Sequence, residues 1–329
     1  MDTVCTNKPL YLGVEIGGTK QQICLGTGDG TISDTREVRL GDVTATEILD
    51  WIRTTVLDYM DRYPIAGIGV GFGGPLELKT GRVLCSIQVP GWENFKLTEW
   101  FEENFHVPVL VANDTFTGGM AELYAGAGKG SRLMYYTNIG TGIGGGIYFG
   151  GKGYDGIGFG AGYLGTTYVP DWRSTEPGAM THMELLVSGK SIAQRLSTPG
   201  YVPADSKLMA LATYDEAGKL HLSAKELAEA VKAGDTFATE ELDRISLSFS
   251  TALANMLALS GIKDVVIGGG VANMGDILFD RIRRDTQCLA FVANKGAINI
   301  RPSALLDTAV PVGALILAAG GRKLLIEDI

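Results

Sequence analysis

Three short glycine-rich segments are the first candidates for chemistry in this chain. They are Gly17-Gly18-Thr19, Gly140-Thr141-Gly142 followed by Gly144-Gly145-Gly146, and Gly268-Gly269-Gly270. Glycine permits positive φ and lets backbone N–H groups approach an anion, and threonine adds a hydroxyl donor. A lone glycine-rich turn is most often only a tight bend. Three of them, each at the end of a strand-like run and two carrying threonine, point to phosphate. The kind of phosphate site is narrowed by what is missing. The sequence has no GxxxxGK[ST], so it is not a P-loop protein, and the HRD and DFG segments of protein kinases are absent. Gly140 to Gly145 does match GxGxxG, but it falls between two strand-like runs and not between a strand and a helix, which argues against a Rossmann site.

The second candidate is acidic. Val109 to Ala112 reads as a buried strand, and Asn113-Asp114 follows at its carboxyl end, ahead of a helical stretch from Thr115 to Tyr124. Ligands of open α/β sheets bind at strand carboxyl ends. An aspartate there can take a proton from a substrate hydroxyl, and Asn113 offers a donor and an acceptor beside it. Phosphoryl transfer asks for little more than an oriented nucleophile and groups that spread charge. Asp is also a preferred helix N-cap, so cap and base both stay open for Asp114, and the two are not exclusive.

These residues need elements to hold them. Leu10–Ile16, Gln21–Gly26 and Thr31–Arg39 read as three strands, with the first glycine turn making a hairpin of the first two. A helix follows from Thr44, with Thr46 as a possible cap and Ile48, Leu49, Ile52, Val56, Leu57 and Met60 at helical spacing. Ile65–Phe72 is a buried strand, Leu97–Asn104 a short helix and Pro108–Ala112 a further strand. The order β-β-β-α-β-α-β is then echoed. Arg132–Ile139, a glycine turn and Ile147–Phe149 form a second strand pair. Helical patterns follow at Ala224–Lys232, Thr236–Gly261 and Gly275–Leu289, with a strand at Val265–Ile267 and a last helix expected at Pro311–Leu325, opening on its proline. Two strand–turn–strand units, each with helices after it, suggest a duplicated α/β architecture with a cleft between halves.

The bulk composition agrees. The 329 residues are enough for two cores; 45% are hydrophobic and 20% charged. A net charge of −9 repels a nucleic-acid backbone, so no nucleic-acid partner is expected. The four cysteines, Cys5, Cys24, Cys85 and Cys288, form no CxxC pair, which fits reduced thiols. With no apolar signal core near Met1–Pro9 and no run long enough to cross a membrane, the expectation is a soluble cytoplasmic protein without a membrane partner.

Taken together, several segments resemble the ROK family (repressors, uncharacterised frames and sugar kinases). Val14-Glu15-Ile16-Gly17-Gly18-Thr19-Lys20 is similar to its DxGGTK opening, and Gly69-Val70-Gly71-Phe72-Gly73-Gly74-Pro75 to its GxGxPGP segment. Gly81–Val83 with Pro90-Gly91-Trp92, Asn113-Asp114, Ile139–Gly146 and Val266–Ala272 resemble its TGxV…GW, ND, IGTGxGGG and IGGGVA segments, in the family's order and over nearly the whole chain. The resemblance implies two ribonuclease H-like domains of the actin and hexokinase type with an active-site cleft between them: residues 1–112 with 311–329, and 113–310. It implies an ATP-dependent sugar kinase with Asp114 as catalytic base and Asn113 and Gly74 at the sugar. Gly17, Gly18, Thr19, Lys20, Gly140, Thr141 and Gly142 would face the ATP phosphates, and Gly268, Gly269 and Gly270 the adenosine. Glu15 stands where the family has Asp, near a hydrated Mg²⁺, and a homodimer is implied as well.

The sequence also departs from the family. Its GE(I/L)GH segment reads Gly162-Tyr163-Leu164-Gly165-Thr166 here, so a carboxylate and an imidazole that touch the sugar become Tyr163 and Thr166. Changing polar contacts changes which substrate fits. The family's CxCGxxGCxE zinc motif is gone: Thr175–Glu184 has no cysteine, and His182 alone cannot hold a structural zinc, so none is expected. Glu184 survives at the motif's last position and is a candidate sugar contact, or else a solvated helix residue. His106 and His221 lie in polar contexts and read as surface residues. Two other functions compete with a kinase. A ROK repressor would need a helix-turn-helix, and only about nine residues precede the first strand. A sensor that binds sugar without phosphorylating it would need neither Asp114 nor the phosphate turns.

Overall fold

The computed structural model describes residues 8–18, 20–39, 41, 43–86 and 89–326. The chain opens with a three-stranded meander, β1 (Leu10–Ile16), β2 (Lys20–Thr27) and β3 (Ile32–Arg39), followed by α1 (Ala45–Arg62) and β4 (Ile65–Phe72). A two-stranded ribbon, β5 (Leu76–Glu77) and β6 (Arg82–Val83), precedes α2 (Leu97–Phe105), β7 (Val109–Asn113) and α3 (Asp114–Ala125). Then come β8 (Leu133–Asn138), β9 (Gly145–Phe149) and β10 (Lys152–Tyr154), and a second ribbon of β11 (Tyr168–Pro170) and β12 (Met180–His182). Helices α4 (Glu184–Val187) and α5 (Gly189–Leu196), a third ribbon of β13 (Thr213–Tyr214) and β14 (Leu220–His221), and the helices α6 (Ala224–Lys232) and α7 (Thr236–Ser260) lead to β15 (Asp264–Gly268). The chain closes with α8 (Asp276–Leu289), β16 (Asn299–Pro302) and α9 (Ala309–Gly320).

Two five-stranded sheets result, in the orders β3-β2-β1-β4-β7 and β10-β9-β8-β15-β16. Counting each sheet's strands along the chain, both have the order 3-2-1-4-5, so the duplicated architecture expected from the sequence is present. In the first sheet β1 pairs antiparallel with β2 and parallel with β4, and β4 parallel with β7, so β1, β4 and β7 end at the same edge. Among the described residues the chain forms two compact units: Met1–Tyr136 with Gly145–Gly162 and Ala304–Ile329, and Thr137–Gly144 with Tyr163–Ser303. The boundary drawn at 112/113 in the sequence falls inside the first unit, between the last two residues of β7.

The first unit's core explains its sheet. Leu12, Val14, Ile23, Ile52, Val56, Ile68 and Val70 are fully buried, so β1, β2 and β4 are buried along most of their length while β3 alternates at the sheet's edge. Helix α1 is held at its start by a capping box in which Thr44 and Glu47 satisfy each other's backbone N–H groups; the cap is Thr44, not Thr46. Helix α9 packs against α3, β1 and β4 at very short range. A Cβ on Gly69 would come 1.9 Å from the Ala314 carbonyl, and one on Gly313 1.9 Å from the Thr117 carbonyl, so only glycine permits these crossings. The last helix begins at Ala309, before Pro311, and stops at Gly320, where a 3₁₀ turn (Gly321–Leu324) takes over. Proline is tolerated throughout a first helical turn, because those N–H groups lack partners anyway, so Pro311 did not mark the first residue.

In the second unit α7 is the central element, with Leu242, Ile245, Phe249 and Leu253 fully buried. Asp235 caps it by accepting from Ala238 N–H at 2.7 Å, and Gly261 ends it in the left-handed conformation. A buried Arg195–Glu241 ion pair, 2.6 Å, with the Tyr201 hydroxyl donating to the same carboxylate at 2.9 Å, ties α5 to α7.

Candidate functional site

In the first unit the sequence candidates gather where β1, β4 and β7 end. Gly17 N–H donates to the Lys20 carbonyl at 3.2 Å, which closes the β1–β2 turn; Gly18 lies within it, and Thr19 lies outside the described residues. Gly73 N–H donates to the Ile16 carbonyl at 2.8 Å, tying the end of β4 to the end of β1. A Cβ on Gly73 would be 3.3 Å from Asp114 Oδ2 and 3.3 Å from the Ile16 carbonyl. The Asp114 carboxylate therefore faces these strand ends across a single glycine.

The cap of α3 is Asn113, and Asp114 is the helix's first residue. Asn113 Oδ1 accepts from Thr115 N–H at 3.0 Å and Phe116 N–H at 3.3 Å, while its Nδ2 donates to the Gly74 carbonyl at 3.1 Å. Asn113 can do both because its amide has an acceptor end and a donor end. Asp114 Oδ1 accepts from Thr115 N–H at 2.6 Å and from the Thr115 hydroxyl at 3.3 Å. Burial raises the Asp114 pKa above the usual aspartate value, opposed by the hydrogen bonds from Thr115 and Asn113.

Glu15, near the end of β1, is half-buried and accepts from Gln22 Nε2, with Lys20 Nζ 3.9 Å away. Burial raises its pKa; the Gln22 hydrogen bond and the Lys20 charge oppose this, and the negative charges of Asp114 and Asp307 add to it. Glu15 thus feels two other carboxylates here, although among the described residues no group of three or more His, Cys, Asp or Glu is placed to hold a metal ion directly. That donor set fits a magnesium ion that keeps its waters and touches carboxylate indirectly.

In the second unit the bend after β8 is held by its own neighbours. Gly140 N–H donates to the Gly142 carbonyl at 3.0 Å, Ile143 N–H to Glu184 Oε2 at 3.3 Å, and Gly144 N–H to Asn138 Oδ1 at 3.0 Å. The Thr137 hydroxyl donates to the Gly144 carbonyl at 2.6 Å, and Gly189 N–H at the start of α5 to the Gly140 carbonyl at 2.7 Å. The exposed Thr141 and Gly142 carry the remaining amides of the bend, plus a hydroxyl. The Gly268–Gly270 turn lies directly beside it. Ile139 N–H donates to the Gly268 carbonyl and Val271 N–H to the Ile139 carbonyl, both at 2.9 Å. Gly269, at φ +88°, is so close to Ile139 that a Cβ would be 2.6 Å from its backbone. Next to Gly270 a cavity of about 280 Å³ is lined by Ala228, Glu229 and Lys232 of α6 and by Asn273 and Met274.

The remaining candidates sit in the same unit. Tyr163 is half-buried and precedes a 3₁₀ turn (Leu164–Thr166) whose last residue is the exposed Thr166, and the Thr166 hydroxyl donates to the Tyr163 carbonyl at 3.0 Å. Glu184 opens α4. Between them, β11 and β12 pair antiparallel, with the His182 ring edge-on to Tyr168 at 4.7 Å. His106 is the left-handed C-cap of α2, and His221 is exposed, 3.1 Å from Asp215 Oδ2. Sequence reasoning did not single out Gln22, Asn138 or Asp307. Asn138, a polar residue at a strand end just before the glycine bend, carried a readable signal. Asp307 did not, because only the tertiary fold brings it near Glu15.

A sheet order repeated twice, strand ends converging on a carboxylate and paired glycine bends define an α/β fold of the actin and hexokinase type. The ROK family model matches residues 11–320, and this chain belongs to the ROK family. It is 30% identical to a glucokinase of Halalkalibacterium halodurans over 92% of this chain and 93% of that protein. It is also similar to the crystal structure of a ROK family glucokinase from Streptomyces griseus in complex with glucose and AMPPNP, with 26% identity, a TM-score of 0.79, and coverage of 95% of this chain and 100% of that one. A ROK family transcriptional regulator, a homologue of the E. coli MLC protein, shares the fold at 19% identity and a TM-score of 0.81, over 94% of this chain and 78% of that one.

Proposed function

We propose that this protein is an ATP-dependent sugar kinase that transfers the γ-phosphoryl group to a hydroxyl of a hexose or hexose-like sugar. The observation that carries the reading is the Asp114 carboxylate at the carboxyl end of β7, 3.3 Å from where a Cβ on Gly73 would sit, with Asn113 fixed beside it. A carboxylate there accepts the proton of the acceptor hydroxyl as its oxygen attacks in line, and burial strengthens it as a base. Thr115, by hydrogen-bonding Oδ1, fixes the rotation of the carboxylate and directs Oδ2 towards Gly73.

The Gly140–Gly142 bend would receive phosphate oxygens on the Thr141 and Gly142 amides and the Thr141 hydroxyl, and the β1–β2 turn with Gly17, Gly18 and Lys20 would do the same in the first unit. Gly268–Gly270 and the adjoining cavity suit the adenosine. Asn113, Gly74, Tyr163, Thr166 and Glu184 are proposed for the acceptor sugar. Glu15 would hold hydrated Mg²⁺ through a water, and that ion, when bound, neutralises charge on the transferring phosphates. The named glucokinases among its relatives support this reading. Free thiols at Cys24, Cys85 and Cys288 suit a cytoplasmic location, and a homodimer is proposed from the family resemblance.

A second reading is a sugar-binding regulator, since a transcriptional regulator has the same fold. The test is ADP release from ATP and Mg²⁺ across a panel of hexoses, amino sugars and polyols. Turnover with at least one of them supports the kinase. ATP left intact with every sugar, alongside measurable sugar binding, supports the regulator.

A further inference from the structure

Glu184 reaches further than a sugar contact requires. Its Oε2 accepts from Ile143 N–H, and the same oxygen would lie 3.4 Å from a Cβ on Gly142. Of the three bend amides held inside the protein, those of Gly140 and Gly144 find partners within the bend or in the strand before it; that of Ile143 depends on a side chain from α4. Packing reinforces the link. A Cβ on Gly165 would be 2.4 Å from the Ile143 carbonyl and 3.1 Å from Glu184 Cβ, so the 3₁₀ turn, α4 and the bend are fitted together with no space for a methyl group.

We propose that Glu184 is a positioning residue for the phosphate-binding bend, holding the Ile143 amide inward so that the Thr141 and Gly142 amides face outward as donors. The inference rests on the nucleotide reading of this bend. The physical need comes from the glycines: a bend with Gly140 and Gly142 has many backbone states, and an anchored amide between Gly142 and Gly144 removes most of them before the ligand arrives. A carboxylate close to phosphate would otherwise be a liability through like-charge repulsion, and its hydrogen bond to the bend accounts for its presence there.

The test is calorimetric binding of AMPPNP with Mg²⁺ to the full chain, without sugar. Glu184→Ala removes the acceptor and is expected to weaken AMPPNP about tenfold, in the range of one hydrogen bond to a charged group. Glu184→Gln keeps an oxygen for the Ile143 amide and sheds the charge, so it is expected to bind within about threefold of wild type or tighter. If Glu184→Ala does not fold, Glu184→Met, similar in volume without an acceptor, takes its place. Wild-type affinity in the Ala or Met variant overturns the proposal, as does a loss in Gln equal to that in Ala. Wild-type protein that fails to bind AMPPNP overturns the nucleotide reading and the positioning role with it, an outcome distinct from both.

Discussion

Asp114 makes the sharpest prediction at the scale of single residues. Asn has the same shape and cannot take a proton, so Asp114→Asn is expected to lower kcat by about 10²–10⁴-fold while AMPPNP affinity stays within about twofold. An unchanged rate removes Asp114 as the base. Because burial raises its pKa, kcat/KM for the sugar should climb with pH along an acid limb whose midpoint lies above the ordinary aspartate value near 3.9. The rise is in that direction because the ionised form does the chemistry. Asp155 offers an independent check on the same physics, away from the proposed chemistry. It lines a cavity of about 470 Å³ with Glu77, Lys79 and Arg322, and burial pushes its pKa up to about 7. A folded-state pKa above the unfolded one means that its stabilising contribution is complete below about pH 4 and is lost as pH rises through 7. Asn mimics the neutral acid. Asp155→Asn should therefore match wild type in Tm only below about pH 4, gain on it as pH rises, and exceed it most near pH 8–9, as scanning calorimetry across pH would read. Equal Tm at both ends would place Asp155 in water.

Two helix caps separate folding from function at the scale of elements. Thr44 caps α1 through its box with Glu47, whereas Asn113 caps α3 and also bonds the Gly74 carbonyl. Thr44→Ala and Asn113→Ala should each cost about 1 kcal/mol in urea denaturation. Only the second should lose turnover; loss in both would mean that α1 matters to the site. These caps also show what the sequence could disclose. Strands with continuous apolar runs, such as β1, β4 and β7, and long amphipathic helices, such as α6 and α7, were legible because burial imposes a period. The glycine bends and Asn113-Asp114 were legible because few residue types suit their backbone and chemistry. The stretch from Gly150 to His221 was not. Its strands are two or three residues long, too short for any period, and the contact between Tyr168 and His182 exists only once the ribbon pairs. Which residue caps α3 was likewise settled by backbone conformation: Asn113 is extended and Asp114 already helical, a distinction two adjacent good caps do not encode.

Charge, and not the repeated architecture, bears on the choice between enzyme and regulator at the scale of the whole molecule. The two sheets share one strand order, and that order serves both a ROK glucokinase and a ROK transcriptional regulator, so the fold does not choose. The chain carries 37 Asp and Glu against 28 Lys and Arg. A duplex attracts proteins chiefly by releasing counterions to clustered cations, and an excess of nine negative charges opposes that at every approach. Addition of this chain to a random-sequence duplex of about 30 base pairs at roughly 0.15 M salt should leave its mobility unchanged, with or without glucose, and lowering the salt should not rescue binding, because weaker screening strengthens the repulsion. Retardation that grows as salt falls would reveal a local basic face strong enough to override the net field, and would move the balance towards the regulator even if some ATP turnover persisted.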